Sequence, residues 1–334
     1  MFSTRFAAIA TLTATTMAFT AIGSAVAQEY PVKDKTITLV VPFAAGGPTD
    51  RVARDFAVAL AKPLGGVTVV VENIGGASGS IGANKIARAN PDGYSLLFFH
   101  IGMATLPTLM RSIPFKVESD FEYLGLVNEV PMTVLGRPTL AANSFSEMVT
   151  WANANQGKVN IGNAGIGSAS HLCGMLLQNA MKVDMTTVPY KGTAPAMVDL
   201  IGGQIDLMCD QTTSTTTQIE GKKVKAYSIT TSKRVNTPVL KDLPTLQEVG
   251  FKGLEVSIWH GLYAPKGTPD AVLKKLNGAL QIALKDPEFM KKQDALGAVI
   301  ITDKRVEGAD HKKFVQAEIA KWTPIIKAAG VYAD

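Results

Sequence analysis

The chain has 334 residues, 46% hydrophobic and 18% charged, which describes a globular protein of one large or two ordinary domains. Its net charge of +5 is scattered, with basic residues clustered only in pairs such as Lys222-Lys223, Lys291-Lys292 and Lys312-Lys313. No basic stripe forms, which argues against a nucleic-acid partner.

Arg5, the apolar and small-residue run from Phe6 to Ile22, and Ala25-Val26-Ala27 together have the layout of a secretory signal peptide. The expected segment is 1–27, cut after Ala27, which places the mature protein in the periplasm. The run carries five threonines and would make a poor membrane anchor. No later stretch reaches about 18 uninterrupted apolar residues, so no other membrane span is expected. An oxidising compartment permits a disulfide between Cys173 and Cys209. Two buried thiols packing as small apolar residues are the reading the sequence favours.

Thr38 to Val41 is β-branched and apolar and reads as a buried strand. Gly46-Gly47-Pro48 then turns into a helix, since proline suits the first helical turn. Val52, Phe56 and Leu60 give that helix an apolar stripe. Its start, preceded by two glycines, would present free backbone N–H groups to an anion. The same spacing also fits an ordinary strand–helix turn.

Val67–Glu72 and Tyr94–Phe99 read as further strands, followed by the loops Asn73–Ser80 and His100–Thr105. In a parallel sheet such loops share one edge, where ligands bind. Segments 121–127 and 132–135 are extended, with no helix between. A second strand–helix series follows. Ser144 and Glu147 form a capping box. Val159–Gly162 leads into the small-residue loop 163–170 and a helix over 171–181. Then come strands at 186–190, 205–209 and 224–230, a helix at 194–201 and a polar loop at 210–214. Residues 254–264 are extended again. Helices are expected over 269–285, 287–296 and 309–329, the last kinked or split by Pro324. The pattern is two α/β units joined by two extended crossings. The first unit is 28–128 with 257–334, and 129–256 is inserted into it.

Enzyme signatures are largely missing. There is no P-loop lysine and no G-x-S-x-G elbow. Gly165-Ile166-Gly167-Ser168-Ala169-Ser170 imitates a dinucleotide fingerprint, but Ser170 stands where the third glycine belongs. None of the four histidines is spaced as a metal ligand. No cofactor or metal is expected, and the chain reads as a non-enzyme. The reading from another class is a secreted hydrolase using Ser168 and His171.

Pro42-Phe43-Ala44-Ala45-Gly46-Gly47-Pro48-Thr49-Asp50 resembles the first ligand loop of the periplasmic receptors of tripartite tricarboxylate transporters, the Bug family. Val71-Glu72-Asn73 with Gly75–Gly79 and Asn90–Tyr94 are similar too. So are Gly165–Leu172, Val188-Pro189-Tyr190-Lys191-Gly192 and Asp199–Asp206. The series covers the mature chain in order. The resemblance implies a type II periplasmic-binding-protein fold, a Venus flytrap of two α/β domains joined by two crossing strands. It implies capture of a small carboxylate, aromatic or aliphatic (a terephthalate-like acid or a C4–C6 diacid), for delivery to membrane permease subunits. A monomer is expected.

In the family, loops at the positions of Phe43, Ala44, Gly46, Gly47 and Thr49, and of Ser78 and Gly79, hold one carboxylate by backbone N–H groups and water. The loop with Gly165 and Ser168 supplies donors from the other side. Residues like Asp210 and Gln211 vary with solute. Ser170 joins the candidates, although both serines could instead cap the next helix. His171 is expected as a neutral donor to the ligand or a buried core histidine. Asp210 would repel a carboxylate unless it met a cation or hydroxyl. Pairing with an ammonium would suit an amino acid or amide solute, and a helix cap is its structural alternative. His260 lies in the second crossing, hence near the hinge. Met175, and Met103 in His100-Ile101-Gly102-Met103, depart from the family pattern, and Met103 could line a slot for an aromatic carboxylate.

Overall fold

The computed structural model describes residues 30–330, so the expected signal segment lies outside the described residues. β1 (Ile37–Val41) lies between β2 (Val69–Asn73) and β3 (Ser95–His100), parallel to both. α1 (Pro48–Ala61) packs Val52, Phe56 and Leu60 fully into the core, as their spacing requires. α2 (Ser80–Ala87) follows β2, and α3 (Gly102–Leu109) follows β3 at once. The sequence suggests a ligand loop at 100–105; instead β3 runs to His100 and the helix starts two residues later.

β4 (Phe121–Gly136) joins everything. Its first part pairs with β9 (Ser257–Pro265) as far as Pro131. From Met132 it pairs with β7 (Leu207–Gln211) and β8 (Lys225–Ile229). Between β4 and β7 come α4 (Phe145–Ala154), β5 (Asn160–Asn163), α5 (Ala169–Met181), β6 (Thr186–Pro189) and α6 (Thr193–Ile201). α7 (Thr212–Glu220) follows β7 directly, where the sequence suggests a polar loop. After β9 come α8 (Asp270–Ala283), α9 (Pro287–Ala295), the short β10 (Val299–Ile300) on β4, and α10 (Gly308–Ala329). Pro324 does not split α10, which runs unbroken. Trp322 and Ile326 are buried on either side of it and hold the helix to the core.

Strand directions set the layout. β3 and β4 both run antiparallel to β9, so they run the same way as each other. β7 runs antiparallel to β4, and β5 and β6 follow β7. β1–β3 therefore point along β4 toward its later half, and β5–β7 point back toward its first half. The carboxyl edges of the two strand sets face each other. At this junction His100 pairs with His260, which faces Asn128 of β4, while Gln211 faces Met132. Roughly 13 Å of β4 separates the two edges.

Cys173 of α5 and Cys209 of β7 form a disulfide. It fastens a helix to a central strand of the second set and closes a loop with a sequence separation of 36. Changing both cysteines to alanine is expected to lower unfolding free energy by about 2–4 kcal/mol, read by urea denaturation.

The central strand β9 is flanked by buried histidines. His311 of α10 accepts from the Gly125 N–H (3.1 Å) and meets the Tyr263 hydroxyl (3.1 Å). Burial lowers His100 and His311 to about 3 and takes His260 well below its ordinary value. Each is neutral when folded, but protonates near 6.5 once unfolded, so acid favours the unfolded chain. Below pH 6.5 each such histidine costs about 1.4 kcal/mol of stability per pH unit. His311→Asn keeps an acceptor for Gly125 and removes one proton from this linkage. The wild-type fall in stability between pH 6 and 4 should exceed that of the variant by about 1.4 kcal/mol per unit; equal slopes would contradict it.

Candidate functional site

The facing carboxyl edges enclose a cleft of about 840 Å³, lined by loops from both strand sets. On the first side, residues 42–49 carry the chain from β1 into α1. Gly47 caps α1 with no side-chain acceptor and Pro48 opens the helix, so the first-turn N–H groups have no intrahelical partner. Asp50 shapes this loop from behind. Its carboxylate accepts from the Gly46 N–H (2.9 Å), from Arg54 Nε (3.0 Å) and from Asn73 Nδ2 (2.9 Å). Burial alone would raise its pKa; the Arg54, Gly46 and Asn73 bonds bring it below the ordinary value. Asn73 also donates to the Phe43 carbonyl (3.1 Å), joining the turns after β1 and β2.

Thr49 is tied inward by a chain of side chains. Asn128 Nδ2 donates to Gln293 Oε1 (2.8 Å), so its Oδ1 faces His260 Nδ1 at 2.9 Å. Nδ1 of the neutral ring therefore carries the proton, and Nε2 accepts from the Thr49 hydroxyl at 3.2 Å. With its proton so engaged, Thr49 offers the cleft an oxygen acceptor, and the helix N-terminus supplies the donors.

Phe43 stacks on His100, with ring centres 4.3 Å apart and planes inclined by 27°. His100 Nδ1 accepts from the Gly102 N–H (2.9 Å), which leaves the proton of the neutral ring on Nε2. After β2, Ser78 and Gly79 adopt positive φ (58° and 96°) and lead into α2, which has no side-chain cap. A Cβ on Gly79 would lie 2.8 Å from Phe99.

The second side mirrors this. Ser168 caps α5 by accepting from the His171 N–H (3.1 Å). The Ser170 hydroxyl donates to the Cys209 carbonyl (2.7 Å). Gly192, with φ of 108°, turns the chain into α6 without a side-chain cap. Asp210 and Gln211 end β7 and are nearly inaccessible, at 1% and 2% exposed. Burial pushes the Asp210 carboxyl up to about 6, although the Thr193 hydroxyl and the Gln211 N–H pull the other way. The two sides touch: Ser78 Oγ donates to the Ile166 carbonyl (2.8 Å), and Arg51 reaches the Thr213 carbonyl (3.3 Å).

Of the residues singled out in the sequence, Phe43, Ala44, Gly47, Thr49, Ser78, Gly79, Gly165, Ser168, Ser170, Asp210 and Gln211 line this cleft. Four do not. Gly46 spends its N–H on Asp50. Met103 is fully buried because α3 begins at Gly102 and turns it into the core. His260 is fully buried because β9 is covered on both faces, and it supports Thr49 from behind. His171 accepts from the Gly167 N–H (3.2 Å), burial lowers its pKa, and it borders a separate small cavity beside Met175. With its ring turned to Gly167, it forms no dyad with Ser168. His100, Lys191 and Thr193 line the cleft without having been singled out as ligand contacts. For the latter two the signal was present: Gly192 precedes a helix, as Gly46-Gly47 does. Among the described residues, no group of three or more His, Cys, Asp or Glu could hold a metal ion, and no helix is long and apolar enough to cross a membrane.

The family profile of the tripartite tricarboxylate transporter family receptor matches residues 52–331. A UPF0065 protein of Agrobacterium vitis is 46% identical over 329 residues, covering 98% of this chain and 92% of that protein. Among solved structures, the periplasmic binding protein BugD is 49% identical with a TM-score of 0.85, over 90% of this chain and 99% of its own. MatC of Rhodopseudomonas palustris with bound malate is 37% identical with a TM-score of 0.82, over 87% of this chain and 98% of its own. Another protein of that organism, with adipate, is 31% identical with a TM-score of 0.85, over 91% and 99%. These relatives are solute-binding proteins, not enzymes. The chain has the periplasmic-binding-protein fold and belongs to the receptor family of the tripartite tricarboxylate transporters.

Proposed function

We propose that this solute-binding protein captures a small carboxylate in the cleft and delivers it to the membrane permease of a tripartite tricarboxylate transporter. Export to the periplasm, with cleavage after Ala27, belongs to the same reading. The observation that carries it is the convergence of four helix N-termini, those of α1, α2, α5 and α6, on one cleft from both strand sets. Three of them have no side-chain cap. α1, α5 and α6 contribute free first-turn N–H groups, and all four contribute the positive end of a dipole, worth about 0.3–1 kcal/mol to an anion. The exposed Lys191 adds positive charge at the rim. The malate and adipate of the two neighbours support the same ligand class. The Phe43–His100 stack offers a flat apolar face, which suits an aromatic acid as well as an aliphatic chain.

Closure follows from the same layout. We infer a first domain of 28–128 with 257–334 and a second of 129–256, hinged at the two crossings. The switch of β4 pairing after Pro131 supports that division. Contacts such as Ser78 with Ile166 are then those of a closed clamp.

Ligand at about 100 times Kd should stabilise the protein by roughly 2.7 kcal/mol. A thermal-shift screen of aliphatic and aromatic carboxylates reads this directly, and no shift with any of them on folded protein would refute the proposal. Gly167 tests closure. It holds φ of 80°, and a Cβ there would lie 2.2 Å from Ser78 Oγ. Gly167→Ala should weaken binding by about tenfold or more. Adding Ser78→Gly should recover the steric part of that loss; if the single variant binds normally, the contact is not part of the clamp.

A further inference from the structure

Asp210 is a buried acid with half of its carboxylate unserved. Oδ1 accepts from the Gln211 N–H (2.7 Å), while Oδ2 has no hydrogen-bond partner. The Thr193 hydroxyl also favours the charged carboxyl. The neighbouring Gln211 Oε1 is also buried and unpartnered. Both residues line the cleft. The cleft wall at the end of β7 thus carries two unpartnered acceptors.

Among the described residues, the cations and imidazoles on the cleft do not answer them. Lys191, also on the cleft wall, is exposed and makes no ion pair with Asp210. Arg51 gives its guanidinium to the Thr213 carbonyl. The His100 and His171 rings are held neutral by burial. The strands beside Asp210 bring Thr133 from β4 and the uncharged ends of β5. Helix capping does not use the free oxygen either. The only α7 N–H that Asp210 takes is that of its neighbour Gln211, through Oδ1, and the Thr212 and Thr213 hydroxyls at the start of α7 are themselves unpartnered.

A buried, half-satisfied carboxylate is costly. It would also repel the second carboxylate of a plain diacid. A ligand group that donates hydrogen bonds removes both penalties. We propose that the solute carries, besides its carboxylate, a donor group, an ammonium or a hydroxyl, and that Asp210 with Gln211 receives it. This rests on the carboxylate reading above and narrows it to amino- or hydroxy-substituted acids. The carboxylate takes the helix N-termini and the donor takes Asp210 Oδ2 and Gln211 Oε1. The acceptor oxygen of Thr49 is compatible with the same guest.

The test is isothermal titration at pH 7.5 with two matched sets. Succinate, malate and aspartate differ only in a hydrogen, hydroxyl or ammonium on one carbon. Adipate, 2-hydroxyadipate and 2-aminoadipate repeat the comparison on a longer chain. Within the set that binds, a donor-bearing acid should bind at least tenfold more tightly than the unsubstituted one. The better arm identifies hydroxyl or ammonium. Asp210→Asn keeps the shape, replaces the acceptor by a donor, and should abolish the preference. Its unfolding midpoint should equal or exceed that of the wild type, since a buried unpaired charge is gone. Gln211→Met, a second variant of similar size, should reduce the preference without reversing it. Carboxylate binding with no preference, or a preference that survives Asp210→Asn, overturns this proposal alone. Failure of every carboxylate to bind overturns it together with the carboxylate reading.

Discussion

The structure depends on the polarity of strands about β4. Because β1–β3 and β5–β7 point toward each other along that strand, their carboxyl edges meet. Every loop that leaves a strand for a helix in either set is then delivered to one cleft. In a single sheet of uniform direction the helix N-termini would line one edge side by side; here two such edges face each other across the cleft. An anion site needs no arginine under these conditions, because backbone N–H groups from several helices surround one volume.

Around that volume the side chains mainly shape and orient. Asp50 spends its carboxylate on Gly46, Arg54 and Asn73 and so keeps the α1 loop in place without presenting its charge to the cleft. The Gln293–Asn128–His260 chain turns the Thr49 proton inward. Ser168 and Ser170 are committed to α5 and to the Cys209 carbonyl. Asp210 is different: it is the buried acid of the cleft whose free oxygen has no internal partner. On the proposed reading, selectivity resides at this end of the site while the helix N-termini hold a carboxylate.

The buried histidines share one physical origin. β9 is flanked by β3 and β4 and covered on both faces, so a histidine on it or against it must be neutral and fully hydrogen-bonded. This is why His260 and His311 support the junction and do not line the cleft. His100 is as buried, but it stands at the end of β3, where one ring edge reaches the cleft.

Local sequence determined the alternation of strands and helices, the glycine turns before α1 and α6, the cap at Ser168 and the two extended crossings. Each of these depends on residues within a few positions of one another. It also marked most of the cleft loops, since loops at the carboxyl ends of parallel strands share an edge. What it did not decide was which way a side chain turns once the loops come together. Gly46 and His171 sit in the right loops but bond within them. Met103 and His260 were drawn inward by a helix start and a central strand that local pattern did not reveal. The pairing of Cys173 with Cys209 and the unsatisfied oxygen of Asp210 likewise arise from tertiary packing. They bring together groups from elements far apart in the chain, and only the folded arrangement shows which of those groups find partners.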